Sequence, residues 1–256
     1  MSGEASRPGA PISARALSRR FGEHCAVDRL SLEVAPGEAF GLLGANGAGK
    51  TTFIRLVTGY LVPSDGEIRV DGISPVSEPG EVHARIGYVP ETSRLYPELR
   101  VDDFLEFAGG ARGLAGDALA RAIERVLERF DLASVRRRLV GNLSKGFQQR
   151  VSLAQAFLHD PRLVIVDEPT GGLDPLQQQA VRRAVAAMRG RQTVLLCTHD
   201  LPEARELCDR VAVLSRGRLV ALGPAERVLD TGDPFALFRG DASALPPDVR
   251  VEAPSP

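Results

Sequence analysis

Apolar residues change spacing several times along the chain, and each change marks a new element. Ile12 to Leu17 and Leu30 to Val34 read as short strands separated by the Phe21-Gly22 turn and a polar link. They predict a small antiparallel layer at the N-terminal end. Ala39 to Leu43 is a short apolar run, and after a glycine-rich loop Thr51 to Tyr60 sets Phe53, Leu56, Val57 and Tyr60 at helical intervals. Strand, loop and helix follow one another there.

From Val101 to Leu139 the texture is helical throughout, with Phe104, Leu105, Phe107 and Ala108, then Leu119, Ile123, Val126, Leu127 and Phe130, recurring between polar residues. This predicts a helical insertion. A further helix runs from Asn142 to about His159, and Pro161 precedes Leu163-Val164-Ile165-Val166, a run suited to a strand buried on both faces. Pro175 to Met188 reads as helix, Thr193 to Cys197 as a second buried strand, and Pro202 to Cys208 as helix. Val211 to Leu214 and Arg218 to Leu222 form a terminal pair around Arg216-Gly217. Strands alternating with helices imply α/β layers. Residues 1–11 and 241–256, rich in Pro, Gly, Ala and charge, read as flexible tails.

Composition narrows the class. The chain has 256 residues, 43% hydrophobic and 25% charged, which suits one core with an attached lobe and excludes a disordered or disulfide-scaffold protein. A net charge of −1 removes the broad pull toward nucleic acid, so no nucleic-acid partner is expected. Its 3 cysteines show no CxxC spacing and suggest neither a disulfide framework nor a zinc site. The start carries no apolar signal core, and no window approaches the roughly 18 apolar residues that span a bilayer. We expect a chain that is neither secreted nor inserted. Among 32 Lys and Arg residues the only lysines are Lys50 and Lys145, and both fall within motifs.

Gly44-Ala45-Asn46-Gly47-Ala48-Gly49-Lys50-Thr51 satisfies GxxxxGK[ST] between a predicted strand and a predicted helix. Glycines let backbone N–H groups turn inward around phosphate oxygens, and the helix start adds partial positive charge. Gly44, Asn46, Gly47, Ala48, Gly49, Lys50, Thr51 and Thr52 are therefore candidates for holding a nucleotide triphosphate. Lys50 reaches the β and γ phosphates, and the Thr51 hydroxyl ligates Mg²⁺.

Asp167 and Glu168 end the buried strand Leu163 to Val166, where ligands of open α/β sheets gather. Asp167 would hold Mg²⁺ through water, and Glu168 would orient and deprotonate an attacking water. His199 follows the strand Thr193 to Cys197 and is placed to touch the γ-phosphate or that water. The competing readings are a polar strand end for Asp167-Glu168 and an ordinary hydrogen-bonded histidine for His199.

With these residues in place the chain resembles the ATP-binding subunit of ABC transporters, over about Ile12 to Phe238. The decisive segment is Leu143-Ser144-Lys145-Gly146-Phe147-Gln148-Gln149-Arg150. The resemblance implies a P-loop NTPase core over 12–240, with an N-terminal antiparallel β subdomain and a helical subdomain, about 92–160, inserted in it. It implies ATP hydrolysis with Mg²⁺, and Ser144 and Gly146 facing the nucleotide held by a second subunit, so that two subunits sandwich two ATPs head to tail. A homodimer follows most simply. Phe21 resembles the aromatic that stacks on adenine, a core phenylalanine at a turn being the alternative. Asp174, in Gly171-Gly172-Leu173-Asp174, resembles the loop that crosses between subunits and is also a good N-cap before Pro175.

Three positions in two segments depart from the usual pattern. Lys145 and Phe147 stand where the family signature has glycine and glutamine. Glu91, in Ile86-Gly87-Tyr88-Val89-Pro90-Glu91, stands where most members place a glutamine that contacts Mg²⁺, and a carboxylate is a harder ligand than an amide. This variant pattern leans toward exporters with a separate ABC-2-type transmembrane permease subunit, against which the helical insertion would dock. The chain would then be a cytoplasmic protein held at the inner face of the cell membrane through that permease. Arg136-Arg137-Arg138 reads as a solvated charge run. The alternative is a soluble ABC ATPase acting on a ribosome or nucleic-acid complex; a single cassette, no heptad array and near-neutral charge weigh against it. No NKxD-type guanine motif supports a GTPase.

Overall fold

The computed structural model describes residues 9–92, 95–230 and 233–241, together with 243, 245 and 249. In chain order the first half contains β1 (Ile12–Phe21), β2 (His24–Val34), β3 (Ala39–Leu43), α1 (Lys50–Val57), β4 (Asp65–Val70), α2 (Pro79–His83) and β5 (Ile86–Val89). There follow α3 (Val101–Ala111), α4 (Gly116–Arg129), two single 3₁₀ turns, and α5 (Lys145–Phe157). The chain continues through β6 (Leu163–Asp167), α6 (Pro175–Ala186), β7 (Thr193–Thr198), α7 (Leu201–Leu207), β8 (Arg210–Ser215), β9 (Arg218–Pro224), α8 (Ala225–Leu229) and α9 (Pro234–Phe238).

β1 and β2 pair antiparallel, and β4 closes the other edge of β1, giving the order β2-β1-β4. Both β1 and β2 run beyond the apolar stretches that predict them, since an antiparallel ladder with one wet face also accepts polar residues such as Arg19, Arg20 and His24. The larger sheet has the order β5-β6-β7-β3-β8-β9. Its first five strands are parallel, and β9 returns antiparallel to β8.

Alternation along β6 shows why its sequence is apolar at every position. Leu163 and Ile165 enter one core with Phe40, Leu42, Phe53 and Ile54, while Val164 and Val166 enter a second with Val151, Leu153 and Phe157 of α5. Both faces are covered, so neither set of side chains can be polar. The fold is α/β, a P-loop NTPase core with an antiparallel layer and an inserted helical part.

The insertion lies between β5 and β6. Phe104 and Leu105 of α3, Ile123, Val126 and Leu127 of α4, and the Phe130–Phe157 ring pair at 5.4 Å join the second core. The single helical texture of 101–139 resolves into two helices because Gly113 adopts φ +82° at their junction, a left-handed conformation that ends α3. Arg136 is tied to Glu124 at 3.1 Å and to Asp102 at 3.8 Å, so the arginine run is anchored at its first member. α2, α8 and α9 have five residues each, too few for a helical period to show in sequence.

Of the two expected tails, residues 1–8 and most of 242–256 lie outside the described residues. Gly9 is buried and Ala10 donates its N–H to Arg162 O at 3.0 Å. Leu245 and Val249 are also buried, the latter against Gly223.

Gly87 on β5 lets α5 approach the sheet: a Cβ there would lie 2.5 Å from the Ala156 carbonyl oxygen and 2.9 Å from Pro161. Gly87→Ala is expected to cost about 1–3 kcal/mol by overpacking backbone against backbone, read as a lower midpoint in urea unfolding.

Candidate active site

The parallel ladder aligns the carboxyl ends of four strands. Leu43 pairs with Thr198, Asp167 with Cys197, and Val89 with Val166, so β5, β6, β7 and β3 finish side by side. Just past those ends come Glu91, Asp167-Glu168, His199 and the glycine loop. Residues spread over more than 150 positions of sequence thus meet at one edge, the place where open α/β sheets take ligands.

The glycine loop needs its glycines at two places above all. Gly49 caps α1 at φ +111°, and a Cβ there would lie 2.6 Å from the Ala26 carbonyl oxygen. A side chain at Gly44, φ +154°, would come within 2.5 Å of the Leu214 carbonyl oxygen. The loop is therefore pressed between β2 and β8, and α1 begins at Lys50 with no acidic residue in its first turn. Its orphan N–H groups therefore keep their partial positive charge, with no acidic side chain in that turn to neutralise it.

Lys50 is buried and donates from Nζ to Gly44 O at 2.6 Å and Ala45 O at 3.4 Å. The same ammonium stands 3.7 Å from Glu168 Oε1. Glu168 takes φ +46°, a left-handed conformation rare for a residue with a side chain, and its N–H donates to Cys197 O at 2.8 Å. Its Oε2 lies 2.9 Å from His199 Nδ1 and accepts from the Thr198 hydroxyl at 3.4 Å. Ammonium, carboxylate and imidazole are thus strung along one line.

These groups line a cleft of about 400 Å³, bounded by His24, Ala26, residues 45–52, Glu91, Asp167, Glu168 and His199. Its size is that of a ligand pocket. The ABC transporter family profile matches residues 27–171, more than half of the sequence. The chain belongs to the ABC transporter family. It is 38% identical over 213 residues to the Escherichia coli "Probable multidrug ABC transporter ATP-binding protein YbhF", covering 83% of this chain and 37% of that protein. It is 36% identical over 221 residues to the "Nod factor export ATP-binding protein I" of Cupriavidus metallidurans, covering 86% of this chain and 73% of the relative. A solved ATP-binding subunit of an ABC transporter superposes with TM-score 0.76 at 31% identity, over 90% of this chain and 95% of that one. The chain thus spans little more than a third of YbhF and most of the export protein.

Within this member of the ABC transporter family, the predicted site residues fall into two groups. Asn46, Gly47, Ala48, Gly49, Lys50, Thr51, Thr52, Glu91, Asp167, Glu168 and His199 come together at the cleft, with Gly44 behind them accepting from Lys50. Ser144, Gly146 and Asp174 do not line it. Ser144 caps α5, its hydroxyl accepting from Phe147 N at 3.4 Å, and Asp174 caps α6, its carboxylate accepting from Gln177 N at 3.0 Å. Gly146 packs against Gln177, where a Cβ would stand 2.7 Å from that side chain, so the two helix starts form one surface. Phe21 is not a lining residue either; it is 44% exposed with the Arg19 guanidinium 4.7 Å over its ring. Across the β1–β2 turn it pairs with His24, which does line the cleft. His24 and Ala26 carry no motif, and only the hairpin register turns them toward the loop.

Among the described residues no group of three His, Cys, Asp or Glu side chains is spaced to hold a metal unaided. The site still fits Mg²⁺ of the kind bound mainly through phosphates: the donors at the cleft are hard oxygens, from Thr51, Asp167 and Glu91. The Asp167 carboxyl is pushed up from 3.8 to about 6, first by burial and then by Glu168 and Glu91, with Lys50 opposing. A cation is what such a crowded set of carboxyls lacks.

Because the folded value is raised, ionised Asp167 weakens the protein. Below the unfolded value both forms are neutral and the penalty vanishes; above about pH 6 it is complete. Without nucleotide and metal, Asp167→Asn should raise the midpoint of thermal unfolding by ~5 °C at neutral pH, from a penalty of about 2–3 kcal/mol. The gain should fade as pH drops through about 6 toward 4.

Proposed function

We propose that this chain binds and hydrolyses Mg-ATP and couples the cycle to a separate membrane permease, as the ATP-binding subunit of an exporter. The observation that carries the reading is the convergence at one cleft of a phosphate loop, the buried Lys50, and the Lys50–Glu168–His199 line. Phosphoryl transfer asks for positioning and charge neutralisation, and these residues supply both.

In this reading Lys50 exchanges its contacts with Gly44 O and Ala45 O for phosphate oxygens, while N–H groups of residues 46–52 close around them. Thr51, Asp167 and Glu91 hold Mg²⁺, which neutralises phosphate charge when bound. Glu168 takes the proton of the attacking water at a carboxylate oxygen, and His199 holds the γ-phosphate side of that water through its imidazole. Ser144, Gly146 and Asp174 lie away from the cleft of their own chain. That supports their facing the nucleotide of a second, identical subunit in a head-to-tail dimer.

Among the described residues no helix is long and apolar enough to cross a membrane. The names of the multidrug and Nod factor relatives support export. The inner face of the cell membrane is the corresponding location.

Glu168→Gln should leave ATP binding intact and lower turnover by at least about 100-fold, because it removes the base and keeps every phosphate contact. It should also accumulate as a dimer in ATP, and gel filtration that finds only monomer would count against the sandwich. Lys50→Ala should lose nucleotide affinity itself. Unchanged ATP affinity in equilibrium titration would sink the cradle assignment.

A further inference from the structure

Glu203 sits in the first turn of α7 and is 0% exposed, yet neither oxygen of its carboxyl has a hydrogen-bond partner. The helix does not need that carboxyl. Asp200 already caps α7, accepting from the Glu203 N–H at 2.9 Å. An unpartnered buried carboxyl costs stability, so the fold gains nothing from it as it stands.

The hydroxyls of Thr198 and Thr170 act on it at hydrogen-bonding range, and the charges of Asp200 and Arg182 also reach it. Both hydroxyls lean toward it as weak donors that favour its ionised form, short of a hydrogen bond of full geometry, and burial favours the neutral form more strongly. The two threonines bracket the catalytic line. Thr198 precedes His199, and Thr170 follows Glu168 by two residues at the start of the segment leading to Asp174.

The Thr198 hydroxyl accepts from Asp200 N at 3.0 Å and gives its single proton to Glu168 Oε2 at 3.4 Å. One proton therefore faces two carboxyls, and Glu168 holds it while Glu203 goes without. In the hydrolytic reading Glu168 turns toward the attacking water, and the long contact to Thr198 is the one that yields.

We propose that Glu203 is a positioning residue that accepts the Thr198 hydroxyl when Glu168 turns toward the water, and so governs how readily the base is released. The inference rests on the hydrolytic reading given above. The exchange needs only rotation of the Thr198 side chain and keeps the backbone leading to His199 in place. It also gives the buried carboxyl its missing partner in the working state.

The test compares the purified full chain with Glu203→Met, Glu203→Gln, Thr198→Val and the Thr198→Val/Glu203→Met double variant, by steady-state Mg-ATP hydrolysis and thermal unfolding. Replacing an unsatisfied buried carboxyl by an apolar side chain of similar size should leave the unfolding midpoint unchanged or raised. Glu203→Met should nonetheless lower kcat about tenfold with KM for ATP within about twofold of the parent. Glu203→Gln keeps an acceptor oxygen and should recover most of kcat, and Glu203→Met should add nothing in the Thr198→Val background. The inference is overturned if Glu203→Met turns over like the parent, if kcat, KM and midpoint fall together, or if the double variant loses the product of the two single effects. A parent chain that hydrolyses no ATP overturns the hydrolytic reading and this inference with it. Parent turnover with an unaltered Glu203→Met overturns this inference alone.

Discussion

Backbone hydrogen bonds hold a parallel ladder in one register, and in the β5-β6-β7-β3 segment that register brings four strand ends to a common edge. Slipping one strand by a single residue would send its apolar set to the opposite face. Val164 and Val166 would then change places with Leu163 and Ile165 between two cores that are both already filled. Packing on the two faces therefore fixes the register, and the register fixes where Asp167, Glu168, His199 and Glu91 stand. The chemistry hangs from the ladder rather than from any loop taken by itself.

That edge concentrates charge, with Asp167 and Lys50 buried and Glu91 and His199 exposed. Asp167, Glu168 and Glu91 crowd one side, and Lys50 is the cation set among them. The arrangement is poor for stability, as the raised Asp167 value and the left-handed backbone of Glu168 indicate. It suits a ligand that brings phosphate to the ammonium and N–H groups, and metal to the carboxylates.

A second surface is built on the same economy. α5 and α6 start side by side, each capped by its own side chain, Ser144 and Asp174, and held close by the absence of a side chain at Gly146. Lys145 reaches the neighbouring loop, since a Cβ at Gly172 would lie 3.8 Å from its Nζ. Two helix starts, one ammonium and two glycines are thus gathered on one surface apart from the cleft. The Phe147 that departs from the family signature turns inward, partly buried against the second core with the Arg150 guanidinium 4.1 Å over its ring.

Local chemistry was legible in the sequence wherever it depends on spacing along the chain. The phosphate loop needs glycines, a lysine and a hydroxyl at fixed intervals between strand and helix. The buried strands announce themselves by unbroken apolar runs, and Asp174-Pro175 marks a helix start by cap and ring alone. What spacing cannot carry is contact between distant segments. His24 and Ala26 enter the cleft only because the β1–β2 hairpin is registered across Phe21, and the two helices of the insertion separate only where Gly113 turns left-handed. Glu203 belongs to no sequence motif, and only the packing of α7 under the strand ends buries it beside Thr198 and Thr170. Periodicity and motif are one-dimensional properties that the chain possesses before it folds; burial, shared protons and like-charge crowding arise when residues far apart are brought within a few ångströms, and only the tertiary structure decides them.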